Sequence, residues 1–386
     1  MQTSKVRLWR RRNAVKANAC GFSLIELLVG MTLSLLAIVA IYKVLSVWDG
    51  RRRSITAGSS AQISGSIGIL EIERDLQLSG WGFGNISAAS RGCTVHASNS
   101  SFAASDYNFL LAPVEIVNDV SGAPDVINIF YGNSAYVSNI HKLRSSDNLG
   151  KTKKLENLAG FNAGDIVLVA GNVASTQQCA LFEVTGNTAD LQTLKHDTNA
   201  YTSYYVATPQ VTPTMNSAAV PILFGSGEIH NLGPDPQRTQ WAVSAANVLT
   251  RRNTLRSETS TFEVTEGIAN LQAQYGIDGG DEGTTLDDKI SDTEWLDALP
   301  SGYTFTSAHW PRMLAVRIAV LARSSQLEKG VVTPVAPFWS GGDFVMKNLD
   351  GSSGTTSNIA KDWRHYRYRV YETTIPLRNM IWGASS

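Results

Sequence analysis

Between Leu27 and Tyr42 the chain carries no charged residue. With the flanking positions 22–26 and 43–48 the run exceeds the ~20 residues of helix needed to cross a hydrocarbon core about 30 Å thick. Residues 20–48 (CGFSLIELLVGMTLSLLAIVAIYKVLSVW) therefore read as a membrane anchor, and a single span must be helical to satisfy its own backbone. Glu26 breaks this pattern. An ionised group inside a span costs roughly 2.5 to 3.5 kcal/mol on insertion scales, so this carboxylate asks for a partner. After Trp48 the helix is predicted to run on, weakened or bent by Gly50, Gly58, Gly65 and Gly68. Ile63, Ile67, Leu70 and Leu78 suggest a stripe facing a globular part, interrupted by Arg74, with Glu71 and Asp75 on another face. The run SGWGFGN (79–85) stops the helix.

Beyond it the period changes from helix to strand. Residues 125–131 (DVINIFY), 165–170 (DIVLVA) and 180–185 (ALFEVT) are short, rich in β-branched or aromatic side chains and bounded by turn formers. Residues 240–244 and 248–252 predict a hairpin, followed by strands at 262–264 and 271–277. Residues 313–323 alternate, with Val316, Ile318 and Val320 on one side and Arg317 and Ala319 on the other. Residues 366–374 do the same, setting Tyr366, Tyr368 and Val370 against Arg367, Arg369 and Tyr371, with Pro376 ending the strand. Such alternation implies antiparallel strands with one covered and one wet face. Residues 187–224 show no clean pattern, and 278–292 and 341–358 read as polar loops. The fold class is α+β: a long N-terminal transmembrane helix, then a mainly antiparallel β domain.

Composition adds three constraints. Lys plus Arg and Asp plus Glu both number 33, a balance without the basic excess of a nucleic-acid binder, and no nucleic-acid partner is expected. Lys5, Arg7, Arg10, Arg11, Arg12 and Lys16 precede the span with no acid among them, which favours a cytoplasmic N-terminus and an exported domain. Of the three cysteines, Cys20 precedes the apolar run. Cys93 and Cys179 either pair as a disulfide in an oxidising compartment or stay as buried thiols. Cys93 is expected in a loop and Cys179 at the start of a strand.

The basic tract and Glu26 fit together if the chain is cut after Gly21. Phe22 would then carry a free ammonium, one helical turn from Glu26 on the same face, and the two could pair within or between helices. A secretory signal would be cut after the apolar run, where no small-x-small site lies. A lipoprotein cysteine would also follow that run, and a plain anchor leaves Glu26 without a role.

Gly21, Phe22, Ser23, Leu24, Ile25 and Glu26 resemble the G|FSLIE motif of type IV prepilins and type II secretion pseudopilins. The blocks LEIERDLQLSGWGFG (70–84), EGIANLQAQYGID (266–278), VRIAVLARS (316–324) and YRVYETTIPLRN (368–379) are similar to those of PilW-type minor pilins. The resemblance implies a pilin-like fold, cleavage at Gly21/Phe22 by prepilin peptidase, N-methylation of Phe22 and docking through Glu26. It also implies other minor pilins, the major pilin and inner-membrane lipid as partners, with the C-terminal domain in the periplasm. The resulting division is a leader 1–21, a transmembrane assembly helix 22–48, its continuation 49–84 and a β-rich periplasmic domain 85–386. The implied function is pilus initiation or a place at the pilus tip, in twitching motility or adhesion. The alternatives are a J-type pseudopilin of type II secretion and, further off, an anchored adhesin or DNA receptor.

Catalytic chemistry is not evident. Gly150, Lys151 and Thr152 imitate the end of a phosphate loop, but Ser145 stands where its first glycine belongs. His96, His141, His196, His230, His309 and His365 are scattered. Asp278, Asp281, Glu282, Asp287 and Asp288 could offer oxygens to calcium, yet Gly280 and Lys289 fall at ligand positions, so a solvated acidic loop is expected. The Arg and Tyr alternation over 364–371 could stack on bases, and it equally describes a half-exposed strand. No enzyme activity, cofactor or metal is expected.

Overall fold

The computed structural model describes residues 23–102, 106–136, 140–146, 151–173, 176–187, 192–207, 210–215, 224–256, 259–279, 286–297 and 310–384. Two compact units divide between Ile55 and Thr56. One unbroken helix, Leu24–Leu78, contributes to each. Within the first unit every residue from 23 to 52 is exposed, and an 18-residue window inside Leu24–Arg52 has a mean hydropathy of 2.5. Its few hydroxyls do not spoil this apolar surface. Thr32 Oγ1 donates to the Val29 carbonyl at 2.9 Å and Ser34 Oγ to that of Gly30 at 2.7 Å, so the helix meets their demand itself.

In the second unit the helix lies against sheet, but on the face opposite to the expected one. Ile63, Ile67, Leu70 and Leu78 are exposed, while Ala61, Gly65, Gly68, Ile69, Ile72, Asp75 and Leu76 are buried. The reason is close approach. A Cβ at Gly65 would lie 2.2 Å from the Tyr371 ring, and one at Gly68 would lie 3.2 Å from Leu249. Small residues let backbone and sheet meet, and that face consequently looks weakly apolar in the sequence. The helix continues without a break through Gly50, Gly58, Gly65 and Gly68. Asp75, expected away from the core, is 1% exposed.

Three main sheets follow the helix. A five-stranded antiparallel sheet runs in the order Phe262–Glu266, Val248–Asn253, Gln237–Val243, Val126–Tyr131, Val114–Val117. A four-stranded antiparallel sheet has the order Trp295–Leu296, Ile268–Ile277, Met313–Arg323, Tyr368–Pro376. The predicted hairpin is present, with Val243 opposite Leu249. The largest sheet has nine strands, with Thr176–Glu183, Ile166–Val173 and Ser226–Gly233 in its middle. Its one parallel pair joins Thr94–Ser98 to Thr176–Glu183. The main core gathers Ile72 and Leu76 of the helix with Phe83, Phe130, Trp241, Leu271, Tyr275 and Val316. The opposite face of the nine-stranded sheet has a core of its own around Val167, Val169 and Phe182.

The expected wet face of Met313–Arg323 is not wet. Ala319 and Leu321 are buried beneath Trp339 and Phe344, with Tyr368 and Val370 packed alongside. The segment around Phe338–Trp339 folds back over the sheet and makes it two-sided. Tyr371 turns the other way, against the main core, and its hydroxyl donates to the Gln62 carbonyl at 3.0 Å. The last strand begins at Tyr368 and ends with Pro376 at its rim.

Cys93 and Cys179 are joined by a disulfide, their Cα atoms 5.9 Å apart and 86 residues apart in the chain. Cys93 precedes Thr94–Ser98, and Cys179 sits inside Thr176–Glu183 rather than at its start. In the chain-entropy account a loop of this length is worth about 4–5 kcal/mol.

Candidate functional site

Gly21 and Phe22, the residues expected to be cut and methylated, lie outside the described residues. The described residues open at Ser23 with the helix start. The Ser23 backbone N–H donates to Glu26 Oε2 at 3.2 Å, and the Ile25 N–H donates to Ser23 Oγ at 3.4 Å. This reciprocal arrangement is a capping box in which Ile25 supplies the amide usually given by the residue after it. The Ser-x-x-Glu spacing of residues 23–26 carries that signal in the sequence. Glu26 also places a negative charge in the first turn, where the helix dipole favours it. Among the described residues no side chain from elsewhere in the chain reaches it.

A second acid on the same helix behaves differently. Asp75 accepts the Tyr131 hydroxyl at 3.0 Å and the Trp241 indole N–H at 3.0 Å, with Arg251 Nε at 3.9 Å. Burial pushes its carboxyl above the usual range, an effect that Arg251 and the two hydrogen bonds only partly offset. Asp75 is thus a clamp between helix and sheet, made by residues 56 to 176 positions further along.

The remaining polar candidates are used up locally. Asp278 accepts the backbone N–H groups of Asp287 and Asp288, each at 3.1 Å, while Asp281 and Glu282 lie outside the described residues. Among the described residues no group of three or more His, Cys, Asp or Glu is placed to hold a metal ion. His230 is fully buried, its Nε2 3.7 Å from Glu228 Oε2, and burial beside it holds His141 below the usual imidazole range. His196 meets the buried Lys153 at 3.0 Å, and His365 meets the Glu328 carbonyl at 2.9 Å. His309 lies outside the described residues. Of the basic strand, Arg364 pairs with Asp362 at 2.6 Å and Arg367 with Glu328 at 3.0 Å. Those charges are neutralised within the fold.

Two family models match the chain. The prokaryotic N-terminal methylation motif matches residues 16–42, which enclose the capped helix start and Glu26. The type IV pilus-assembly protein W model matches residues 238–379, from the five-stranded sheet through the four-stranded one. The two matches support a PilW-family type IV minor pilin. The nine-stranded sheet, built from residues 94–233, falls between the two matched regions. No curated protein and no solved structure matches it. The methylation motif implies processing by prepilin peptidase, and the family points to other pilins as partners. An apolar helix next to that motif argues for membrane anchoring and entry into a pilus.

Proposed function

We propose that this minor pilin works in the initiation of pilus assembly or at the pilus tip, without catalysis of its own. Prepilin peptidase cuts after Gly21 on the cytoplasmic face of the inner membrane and frees Phe22 for N-methylation. The helix 22–48 stays in the inner membrane until Glu26 pairs with the terminal ammonium of a neighbouring subunit and draws it into the helical bundle. Residues 49–84 continue the helix into a periplasmic domain of residues 85–386. The observation that carries this reading is a segment of residues 23–52 exposed along its whole length, with an acid at its start that, among the described residues, meets only its own cap. A buried ion pair between subunits would use that acid where lipid or neighbouring helices replace water.

The cap supplies a clean test. Glutamine also closes a capping box, so Glu26→Gln keeps the helix start and removes only the charge. Mass spectrometry should find the variant processed to a chain beginning at Phe22. Its amount in sheared pili should fall at least about tenfold, the equivalent of about 1.4 kcal/mol. Normal amounts in the pilus fraction would remove the docking role. Recovery with a type II secretion complex instead of pili would favour the J-type pseudopilin.

A further inference from the structure

The outer face of the four-stranded sheet carries two arginines on one strand, Arg317 and Arg323. Arg317 is fully engaged. It lies 4.5 Å from the Trp295 ring and 5.4 Å from the Trp339 ring, donates to Gln274 at 2.5 Å and feels Glu372 and Asp297. Arg323, six residues on, is half-buried on the Tyr366 ring at 5.0 Å and beside the Tyr368 hydroxyl. It has no carboxylate partner among the described residues, and its Nε has no hydrogen bond. The acid behind Tyr368, Asp362, is taken by Arg364. A held, partly desolvated guanidinium without a counter-ion is costly unless something else supplies the charge.

Arg323 lines a depression of about 190 Å³ formed where residues 122–124, 245–247 and 345–349 meet the sheet. Its lining includes a second cation, Lys347, and no carboxylate, and Lys347 feels the charge of Asp119 outside that lining. Asn247, half-buried on the rim, makes no side-chain hydrogen bond within the described chain. Leu321, Val345 and Met346 give the depression an apolar wall. At ~30 Å³ per water it has room for about six waters, which suits a single small ring rather than a drug-sized ligand.

We propose that this depression binds one acidic sugar residue, a uronic acid. The Arg323 fork takes the carboxylate, a geometry that guanidinium matches with two parallel N–H donors. Asn247 takes a ring hydroxyl, and Val345 and Met346 cover the C–H face. Such a site would serve recognition of an acidic glycan, whatever place the subunit takes in the pilus.

The test uses the full chain in detergent micelles, titrated calorimetrically with glucuronate, with glucose and acetate as controls. Saturable binding of glucuronate is expected, with neither control competing at the same concentration. Arg323→Gln should weaken binding at least about tenfold. Asn247→Gly should weaken it several-fold without disturbing the fold, because Asn247 sits at a φ of 59° that glycine adopts freely. Absence of saturable glucuronate binding overturns the proposal. So does equal binding of acetate, or glucuronate binding unchanged by both substitutions.

Discussion

Two stretches of one helix solve opposite problems. From Leu24 to Arg52 the side chains are apolar around most of the circumference and none is buried. From Ala61 to Leu76 a strip of small and branched residues is buried against sheet, and the larger apolar side chains on the other side are exposed. A helix that is apolar all round needs cover from outside its own chain, whereas an amphipathic one brings its cover with it. The acids follow the same division. Glu26 has its own cap, while Asp75 has a tyrosine, a tryptophan and an arginine from three strands. The difference teaches that an acid's role in a helix is set by where its partners come from.

The largest effect should come from removing the acid whose partners are built in. Asp75→Ala would leave the Trp241 indole and the Tyr131 hydroxyl buried without an acceptor, for a loss of about 3 kcal/mol. Denaturant unfolding of the full chain in micelles measures it. A loss below about 1 kcal/mol would show that water replaces the carboxylate and that Asp75 is no clamp. The pH dependence sharpens the point. The folded carboxyl of Asp75 is raised above 3.8 by burial, so its stabilising share is complete below that value and is lost as pH rises through the raised one. Asp125, pushed up to about 6 by burial, acts with the same sign. Wild-type stability should therefore fall between about pH 4 and pH 7, and its lead over Asp75→Asn should narrow. A lead that stays constant or grows across that range would contradict the buried carboxyl.

How far the sequence could be read follows the same division. The anchor and the strands of residues 313–323 and 368–376 announce themselves by runs and alternation that depend on neighbours in the chain. The helix face does not, because Gly65 and Gly68 contribute by what they lack and Asp75 by partners far away. Several strands of the nine-stranded sheet are likewise hidden. His141–Ser146 (HKLRSS) and Thr152–Leu155 (TKKL) are polar and become strands through pairing with each other and with residues beyond position 190. The cover over Met313–Arg323 comes from a glycine-rich stretch that reads as a loop. At the candidate site, the processing motif and Glu26 are legible from position alone. The cap is written there too, in the spacing of Ser23 and Glu26, and the geometry of Ser23 realises it.

A middle-sized effect tests whether close approach really orients the helix. Gly65→Ala improves helix propensity by about 1 kcal/mol, yet its Cβ would sit 2.2 Å from the Tyr371 ring. Overpacking of this kind costs about 1–3 kcal/mol, so the net change should be destabilising. The Tyr371 hydroxyl, bound to the Gln62 carbonyl, restrains the ring from moving aside. If Gly65→Ala is neutral or stabilising, the helix does not depend on that contact and its buried face is set by Ile72 and Leu76 alone.

The smallest effect runs the other way and supplies the control. Gly58 lies in the same helix, seven residues before Gly65, and nothing stands within 4 Å of where its Cβ would be. Alanine there meets no neighbour, so only the backbone entropy and propensity terms remain. Gly58→Ala should stabilise the chain by up to about 1 kcal/mol. Measured beside Gly65→Ala, an identical chemical change would thus have opposite signs at two sites. Propensity predicts the same sign at both, and packing alone predicts a difference. If Gly58→Ala is also destabilising, the open space at that position is filled in the assembled protein, and the boundary between the covered and uncovered stretches of the helix moves toward the anchor.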